Sequence, residues 1–201
     1  MQYVSHTLRG KIHSDIWGPA NPQSYNGRLY YINFTDDYTR WTTIYCINKK
    51  LNIFNKYKEY EAWLKTQYGK QIKVLQSDRG GEYLSNEFTK HLKGKGTIRT
   101  LTVHDTPEEN GVVEQLNRTL LEHVCAMLMT AELPKNLWPE TIHHAVWLKN
   151  RTSTQAPNGK TPFEVMHNAK LNLSDLPDWD TRVFMLRNST GKLDSKAMEG
   201  H

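Results

Sequence analysis

The chain has 201 residues, of which 37% are apolar and 23% are charged, so it fits one ordinary domain with a short extension and can bury a core without disulfides. Lysine and arginine number 26 against 21 acidic residues, and the resulting net charge of +5 is compatible with a polyanionic partner without identifying one. Cys46 and Cys125 lack the spacing of a disulfide framework or a zinc knuckle, and no segment approaches eighteen apolar residues, which argues against a membrane span.

After a polar lead-in of ten residues, the first half of the chain alternates between two periodicities. Three runs rich in Ile, Tyr, Trp and Thr predict strands at 11–16, 29–34 and 41–47. From Leu51 to Tyr68 apolar residues recur at spacings of three and four, which predicts a helix that Gly69 ends. A short apolar run, 72–76, predicts the fourth strand.

The second half predicts a short helix capped by Ser85, a strand over 97–103, a loop over 105–110 and a long helix over 111–130. Another helix opens at Pro134, and beyond Arg151 the chain is loop-rich, with a weak strand at 182–186 and a polar tail. This order predicts an α/β fold with a mixed sheet flanked by helices, although it leaves the strand order open. We expect a core over 11–167 and a loop-rich extension over 168–201.

Three acidic residues stand out by their positions. Asp15 lies inside the first strand, where burying a carboxylate destabilises the folded state unless the carboxylate is paired with another group or binds a metal. Asp78 ends the fourth strand, at the rim of the predicted sheet and before a glycine pair. Glu114 lies in the predicted first turn of the long helix and shares a face with Asn117 and Arg118. Taken singly, each has an ordinary explanation as a turn, edge or helix-dipole residue.

The residues flanking these carboxylates form ordered motifs. They are His13-Ser14-Asp15-Ile16-Trp17-Gly18-Pro19, Phe34-Thr35-Asp36-Asp37-Tyr38-Thr39-Arg40, Leu75-Gln76-Ser77-Asp78-Arg79-Gly80-Gly81-Glu82-Tyr83, Thr106-Pro107-Glu108-Glu109-Asn110-Gly111-Val112-Val113-Glu114, Asn117-Arg118-Thr119-Leu120 and Gly159-Lys160-Thr161-Pro162-Phe163. From about Gly10 to Val183 the chain resembles the integrase catalytic core of copia-type LTR retrotransposons. The 35 residues between Asp78 and Glu114 match the spacing typical of the wider retroviral integrase group.

This resemblance implies a ribonuclease H-like fold with a mixed five-stranded sheet, in which Asp15, Asp78 and Glu114 meet and hold two Mg²⁺ or Mn²⁺ ions. Physical chemistry agrees, because clustered carboxylates repel one another without cations and hard oxygen ligands suit these metals. The resemblance further implies 3′ processing and strand transfer of retrotransposon DNA by multimers in the nucleus. It implies no membrane and no small-molecule cofactor.

Several basic and polar residues are candidates for holding DNA. Arg79 and Arg118 flank the acidic residues, and Asn110 lies in the loop predicted before the long helix. Phosphate contacts are further predicted from Lys73, Lys93, Lys95 and Arg99, although a solvated basic surface explains these last four equally well. Asp36 and Asp37 are better explained by a turn in which their side chains bind backbone amides.

The chain departs from the copia-type pattern at four positions. Glu108 and Glu109 stand where glutamine is common, and Gln115 and Cys125 stand where basic residues are usual, changes that disfavour phosphate. A rival hypothesis is therefore a catalytically weak or inactive remnant that binds nucleic acid or protein. A ribonuclease H-type hydrolase would share the metal chemistry.

Overall fold

The computed structural model describes residues 10–101, 107–153, 159–174, 176, 179, 181, 183–186 and 197–200. The helices are α1 (Ile53–Tyr68), α2 (Asn86–Lys95), α3 (Pro107–Thr130), α4 (Trp138–Lys149) and α5 (Pro162–His167). The strands are β1 (Lys11–Trp17), β2 (Tyr30–Asp36), β3 (Thr42–Ile47), β4 (Val74–Ser77), β5 (Ile98–Leu101), β6 (Val183–Leu186) and β7 (Ala197–Gly200). Short 3-10 turns precede α1 and α4.

The first five strands form one mixed sheet in the order β3-β2-β1-β4-β5. β1 lies at its centre, antiparallel to β2 on one side and parallel to β4 on the other. β3 extends the antiparallel half and β5 extends the parallel half. The predicted mixed five-stranded sheet is confirmed, and the strand order that the sequence left open places the Asp15 strand in the middle.

Alternating side chains give the sheet two buried faces, as the twofold period of a strand requires. On β2, Ile32 and Phe34 pack against α1 and α2, whereas Tyr31 packs against α3 and α4. The apolar face predicted for α1 is confirmed, because Ile53, Phe54, Tyr57, Tyr60 and Leu64 are all buried. The helices therefore cover both faces of the sheet.

The short helix α2 begins as its sequence predicts. The hydroxyl of Ser85 accepts a hydrogen bond from the backbone N–H of Phe88 at 3.3 Å, and Gly96 ends the helix with a φ of 69°. Gly94 lies inside the helix and does not end it.

The long helix corrects one prediction. It begins at Pro107, so residues 107–110, including Asn110, are helical and do not form a loop. Proline suits the first position of a helix and glutamates are favourable in its first turn, which outweighs the unfavourable Asn110-Gly111 pair. Glu114 is thus the eighth residue of α3, counted from Pro107, and not a first-turn residue.

The region after Arg151 contains more structure than we predicted. α5 has a complete capping box, in which Thr161 and Glu164 bind each other's backbone N–H groups. The predicted strand at 182–186 is confirmed as β6 (Val183–Leu186), and it pairs with β7 in the polar tail, where we predicted no strand. Trp179 joins the extension to α3, since its Nε1 donates to the backbone oxygen of Met127 at 3.2 Å.

The described residues contain no helix long and apolar enough to cross a bilayer. Both cysteines are free thiols, in keeping with their spacing in the sequence.

Candidate metal centre

The parallel pairing of β1 and β4 brings the segments that carry two of the predicted carboxylates side by side. Lys11 pairs with Val74, Ile12 with Leu75 and His13 with Gln76. Asp15 and Asp78 each follow the last of these pairs by two residues, on chain segments that leave strands about 4.8 Å apart. Asp15 is half-buried in the central strand, whereas Asp78 is exposed just beyond the end of β4.

A tight turn orients Asp78. The backbone N–H of Gly80 donates to Oδ1 of Asp78 at 3.0 Å, and the N–H of Tyr83 donates to the oxygen of Gly80 at 3.0 Å. A Cβ atom at Gly80 would lie 3.0 Å from Oδ1 of Asp78 and 2.8 Å from the carboxyl carbon of Glu82. The missing side chain therefore lets both carboxylates approach the same backbone turn.

Glu114, on α3, completes the electrostatic environment of Asp15. Burial raises the pKa of Asp15 to about 6, and the charges of Asp78 and Glu114 push it in the same direction. Hydrogen bonds from the backbone of Ile16 and from Asn117 oppose these effects by favouring the ionised form. The negative charges of Asp78 and Glu114, from distant parts of the chain, thus disfavour the ionised form of Asp15. A bound cation would relieve the repulsion among the three carboxylates.

A buried amide links Asp15 to α3. Nδ2 of Asn117 donates to Oδ2 of Asp15 at 2.5 Å. In the sequence, Asn117 stands out as a neighbour of Glu114 on the helix face and as part of the Asn117-Arg118-Thr119-Leu120 motif, and neither signal predicts its contact with Asp15. A hydrogen bond across 102 positions of the chain leaves no local sequence signal.

A second contact pins the turn that carries Asp78 to the central strand. The hydroxyl of Tyr83 and the hydroxyl of Ser14 are 2.8 Å apart, and both residues are buried. Because Ser14 adjoins Asp15, this contact sets the position of the turn relative to that carboxylate. Tyr83 belongs to the motif that contains Asp78, but nothing in the sequence indicated this role.

The donor set fits a hard divalent cation by its chemistry, since carboxylate oxygens are the ligands that Mg²⁺ and Mn²⁺ prefer. Within the described part of the chain, however, no three His, Cys, Asp or Glu side chains are close enough to form a ready ligand set. Asp15 is nevertheless an electrostatic neighbour of both Asp78 and Glu114.

The residues predicted to hold DNA fall in different places. Arg79 and Arg118 are exposed and adjoin the carboxylate-bearing segments. Lys73 is exposed but precedes β4, so it lies roughly 16 Å along the strand from Asp78. Asn110 lies in α3, and its side chain is outside the described part of the structure.

Arg99 has an internal role that the sequence did not predict. Its Nη2 donates to the hydroxyl of Thr89 at 2.8 Å, and its Nη1 donates to the backbone oxygen of Tyr83. Lys95 lies 3.7 Å from the carboxylate of Glu61, while Lys93 is exposed. The guanidinium of Arg99 ties β5 to α2 and to the turn after Asp78, so a phosphate would have to compete with these bonds.

The prediction that the side chains of Asp36 and Asp37 bind backbone amides in a turn is confirmed for Asp36. Its Oδ1 accepts hydrogen bonds from the backbone N–H of Thr39 at 2.7 Å and from the hydroxyl of Thr39 at 2.9 Å. Asp37 lies 2.8 Å from Nε2 of His13. Both aspartates therefore stabilise the turn between β2 and β3.

Comparison with known proteins gives three kinds of match. A family described as integrase core domain matches residues 7–107, a range that includes Asp15 and Asp78 and ends before Glu114. The chain is 34% identical over 189 residues to the retrovirus-related Pol polyprotein from transposon TNT 1-94 of Nicotiana tabacum. That alignment covers 93% of this chain and only 14% of the polyprotein.

Solved structures with the same fold come from viral integrases. The dimeric form of the HTLV-2 integrase catalytic core in complex with magnesium has a TM-score of 0.59 at 16% identity, with 80% of this chain and 97% of that chain covered. A simian T-cell lymphotropic virus intasome has a TM-score of 0.63 at 15% identity, with 96% of this chain and 67% of that chain covered. These likenesses confirm the ribonuclease H-like fold that integrase catalytic cores share.

Proposed function

Because this chain belongs to the integrase core domain family, we propose that it is the catalytic core of a copia-type retrotransposon integrase, a metal-dependent polynucleotidyl transferase. Asp15, Asp78 and Glu114 are its catalytic and metal-binding residues. The observation that carries this proposal is the position of Asp15, on the strand that pairs with the Asp78-bearing segment and within the electrostatic influence of both other carboxylates. The HTLV-2 integrase core was solved in complex with magnesium, which supports the choice of cofactor.

The proposed reaction has two steps. In 3′ processing, water attacks a phosphodiester near the end of the element DNA and leaves a free 3′-hydroxyl. In strand transfer that hydroxyl forms a new bond to phosphorus in target DNA, while the target's own phosphodiester bond breaks and its 3′-oxygen leaves. Two divalent cations held by the three carboxylates would activate the attacking oxygen and stabilise the leaving one.

The side chains around the carboxylates have separate tasks in this proposal. Asp15 is held rigid by the central strand and by Asn117, whereas the exposed Asp78 and Glu114 are accessible to a substrate. Arg79 and Arg118 would bind phosphates of element and target DNA beside them. Asn110, Lys73 and Arg99 stay predicted DNA contacts. Lys73 lies before β4, away from Asp78, and Arg99 is already engaged in hydrogen bonds with Thr89 and Tyr83.

Assembly and location are part of the same proposal. We expect multimers on DNA, since the HTLV-2 core is known in dimeric and trimeric forms and the simian virus protein in an intasome. We also propose that the chain acts in the nucleus, as the resemblance to copia-type integrases implies. This chain spans about one seventh of the length of the polyprotein that it matches.

The test is a strand-transfer assay with purified protein, Mn²⁺ and labelled DNA carrying the ends of the element. We expect nicking and joining that require the metal, and loss of both in Asp78→Asn while the fold is retained. Glu87→Gln is the matched control, since it removes one exposed carboxylate from α2, away from the centre. Equal activity in Asp78→Asn and Glu87→Gln would refute the assignment.

The rival hypothesis, a binding module with weak or no activity, draws on a specific observation. The three carboxylates do not form a ready ligand set in the described structure, and Glu109 and Gln115 disfavour phosphate. This rival predicts DNA binding without Mn²⁺ binding at the triad. Cleavage of RNA–DNA hybrids in place of DNA joining would instead favour a ribonuclease H-type hydrolase.

A further inference from the structure

A chain of buried polar side chains runs from the sheet to Asp15. Asn117 donates from Nδ2 to Asp15, and its Oδ1 accepts from the hydroxyl of Tyr31 at 3.0 Å and from Nδ2 of Asn33 at 3.0 Å. Tyr31 and Asn33 are completely buried and Asn117 is 9% exposed. Water cannot replace these partners, so each bond constrains its neighbours.

The network decides which end of the Asn117 amide faces Asp15. An ionised carboxylate only accepts hydrogen bonds, so the amide must turn its NH₂ group toward it. The oxygen then points into the core, where it needs donors. Tyr31 and Asn33 supply two donors to that one oxygen, and the reversed amide would set its oxygen against the carboxylate.

Both donors are themselves held in place. Asn33 lies directly opposite Asp15 in the antiparallel pairing of β1 and β2, so the two residues share a level of the sheet. The ring of Tyr31 stacks on Trp17 with centroids 5.3 Å apart, and Trp17 packs edge-on against Trp138 of α4 at 5.8 Å. The tyrosine hydroxyl therefore has a fixed direction set by the core between the sheet and α4.

We propose that Tyr31 and Asn33 are positioning residues for the metal centre, acting through Asn117. By holding the amide oxygen, they fix the NH₂ group on Asp15 and keep α3, which carries Glu114, at a set distance from the central strand. The proposal rests on the function proposed above for the three carboxylates. Neither residue touches the metal or the substrate, and the sequence assigned neither a role.

The test uses Tyr31→Phe, which keeps the ring and removes one hydroxyl, and Asn33→Leu as an independent second variant. Tyr57→Phe is the matched control, because Tyr57 is equally buried but lies on the opposite face of the sheet. Two quantities are measured: the solvent exchange of the Asn117 side-chain NH₂ protons by NMR in metal-free protein, and the Mn²⁺ dissociation constant by EPR. Thermal denaturation checks that each variant is folded.

We expect slow exchange of the Asn117 NH₂ protons in the unaltered protein and in Tyr57→Phe, and faster exchange in Tyr31→Phe and Asn33→Leu. The Mn²⁺ dissociation constant should rise about tenfold in those two variants, the loss typical of residues that orient a metal ligand. If both measurements match the control in a folded Tyr31→Phe or Asn33→Leu variant, the proposal is overturned. If the unaltered protein binds no Mn²⁺, the proposed function fails, and the orienting role still stands or falls by the exchange measurement.

Discussion

The hydroxyls of Ser14 and Tyr83 meet at 2.8 Å inside the core, 69 positions apart in the chain. Ser14 precedes Asp15 on the central strand, and Tyr83 closes the turn that begins at Asp78. This one contact therefore joins the two chain segments on which the proposed metal centre depends.

Removing the Tyr83 hydroxyl should weaken both the fold and the site. In Tyr83→Phe the Ser14 hydroxyl loses this partner in the core, so we expect the free energy of unfolding to fall by about 1–2 kcal/mol and Mn²⁺ affinity to fall with it. Urea denaturation and EPR titration measure the two effects. The double variant Ser14→Ala/Tyr83→Phe should recover part of the stability, because neither hydroxyl is left unpaired, and a strictly additive loss would contradict the coupling.

Asp15 should make the stability of the metal-free protein depend on pH. Its pKa is raised from 3.8 to about 6, so the folded state binds the proton more tightly than the unfolded state, and the stability from this group falls as pH rises from about 4 to above 6. We therefore expect Asp15→Asn to melt at a higher temperature than the unaltered protein at pH 7.5, and by a smaller margin at pH 4.5. A difference of the same size at both pH values would show that charge is not the cause.

The glycine pair after Asp78 offers a test of local geometry. A Cβ at Gly80 would meet the carboxylates of Asp78 and Glu82, whereas a Cβ at Gly81 would meet nothing within 4 Å. We expect Gly80→Ala to displace Asp78 and to weaken Mn²⁺ binding severalfold, and Gly81→Ala to leave it unchanged. Calorimetric titration of both folded variants decides this, and equal affinities would show that the turn tolerates the displacement.

Arg79 and Arg118 should supply a measurable share of DNA affinity. Each is exposed beside a carboxylate-bearing segment, so Arg79→Ala and Arg118→Ala should weaken DNA binding and reduce the slope of log affinity against log salt by about one each. Lys65→Ala is the control, since it removes one exposed charge from α1 on the other face of the sheet. If all three variants show the same slope of log affinity against log salt, the DNA does not bind beside Arg79 and Arg118.

Local patterns predicted most of the secondary structure. The apolar spacing of Ile53, Tyr57, Tyr60 and Leu64 specified α1 and its buried face, and Ser85 marked the start of α2. The errors fell where the local signal was weak or contradictory. Asn110-Gly111 obscured the start of α3, and β7, an Ala-Met-Glu-Gly segment without β-branched or aromatic residues, is a strand only because it pairs with β6.

The motifs around Asp15, Asp78 and Glu114 also indicated the family and the fold before any coordinates, because residue type and spacing are properties of the chain alone. The arrangement of the centre required the tertiary structure. Strand order, the β1–β4 pairing that brings the Asp15 and Asp78 segments side by side, and the bonds of Asn117 and Tyr83 all join residues distant in sequence. Such contacts arise when the two faces of the sheet pack against their helices, and a local pattern carries no record of which distant group will become a neighbour.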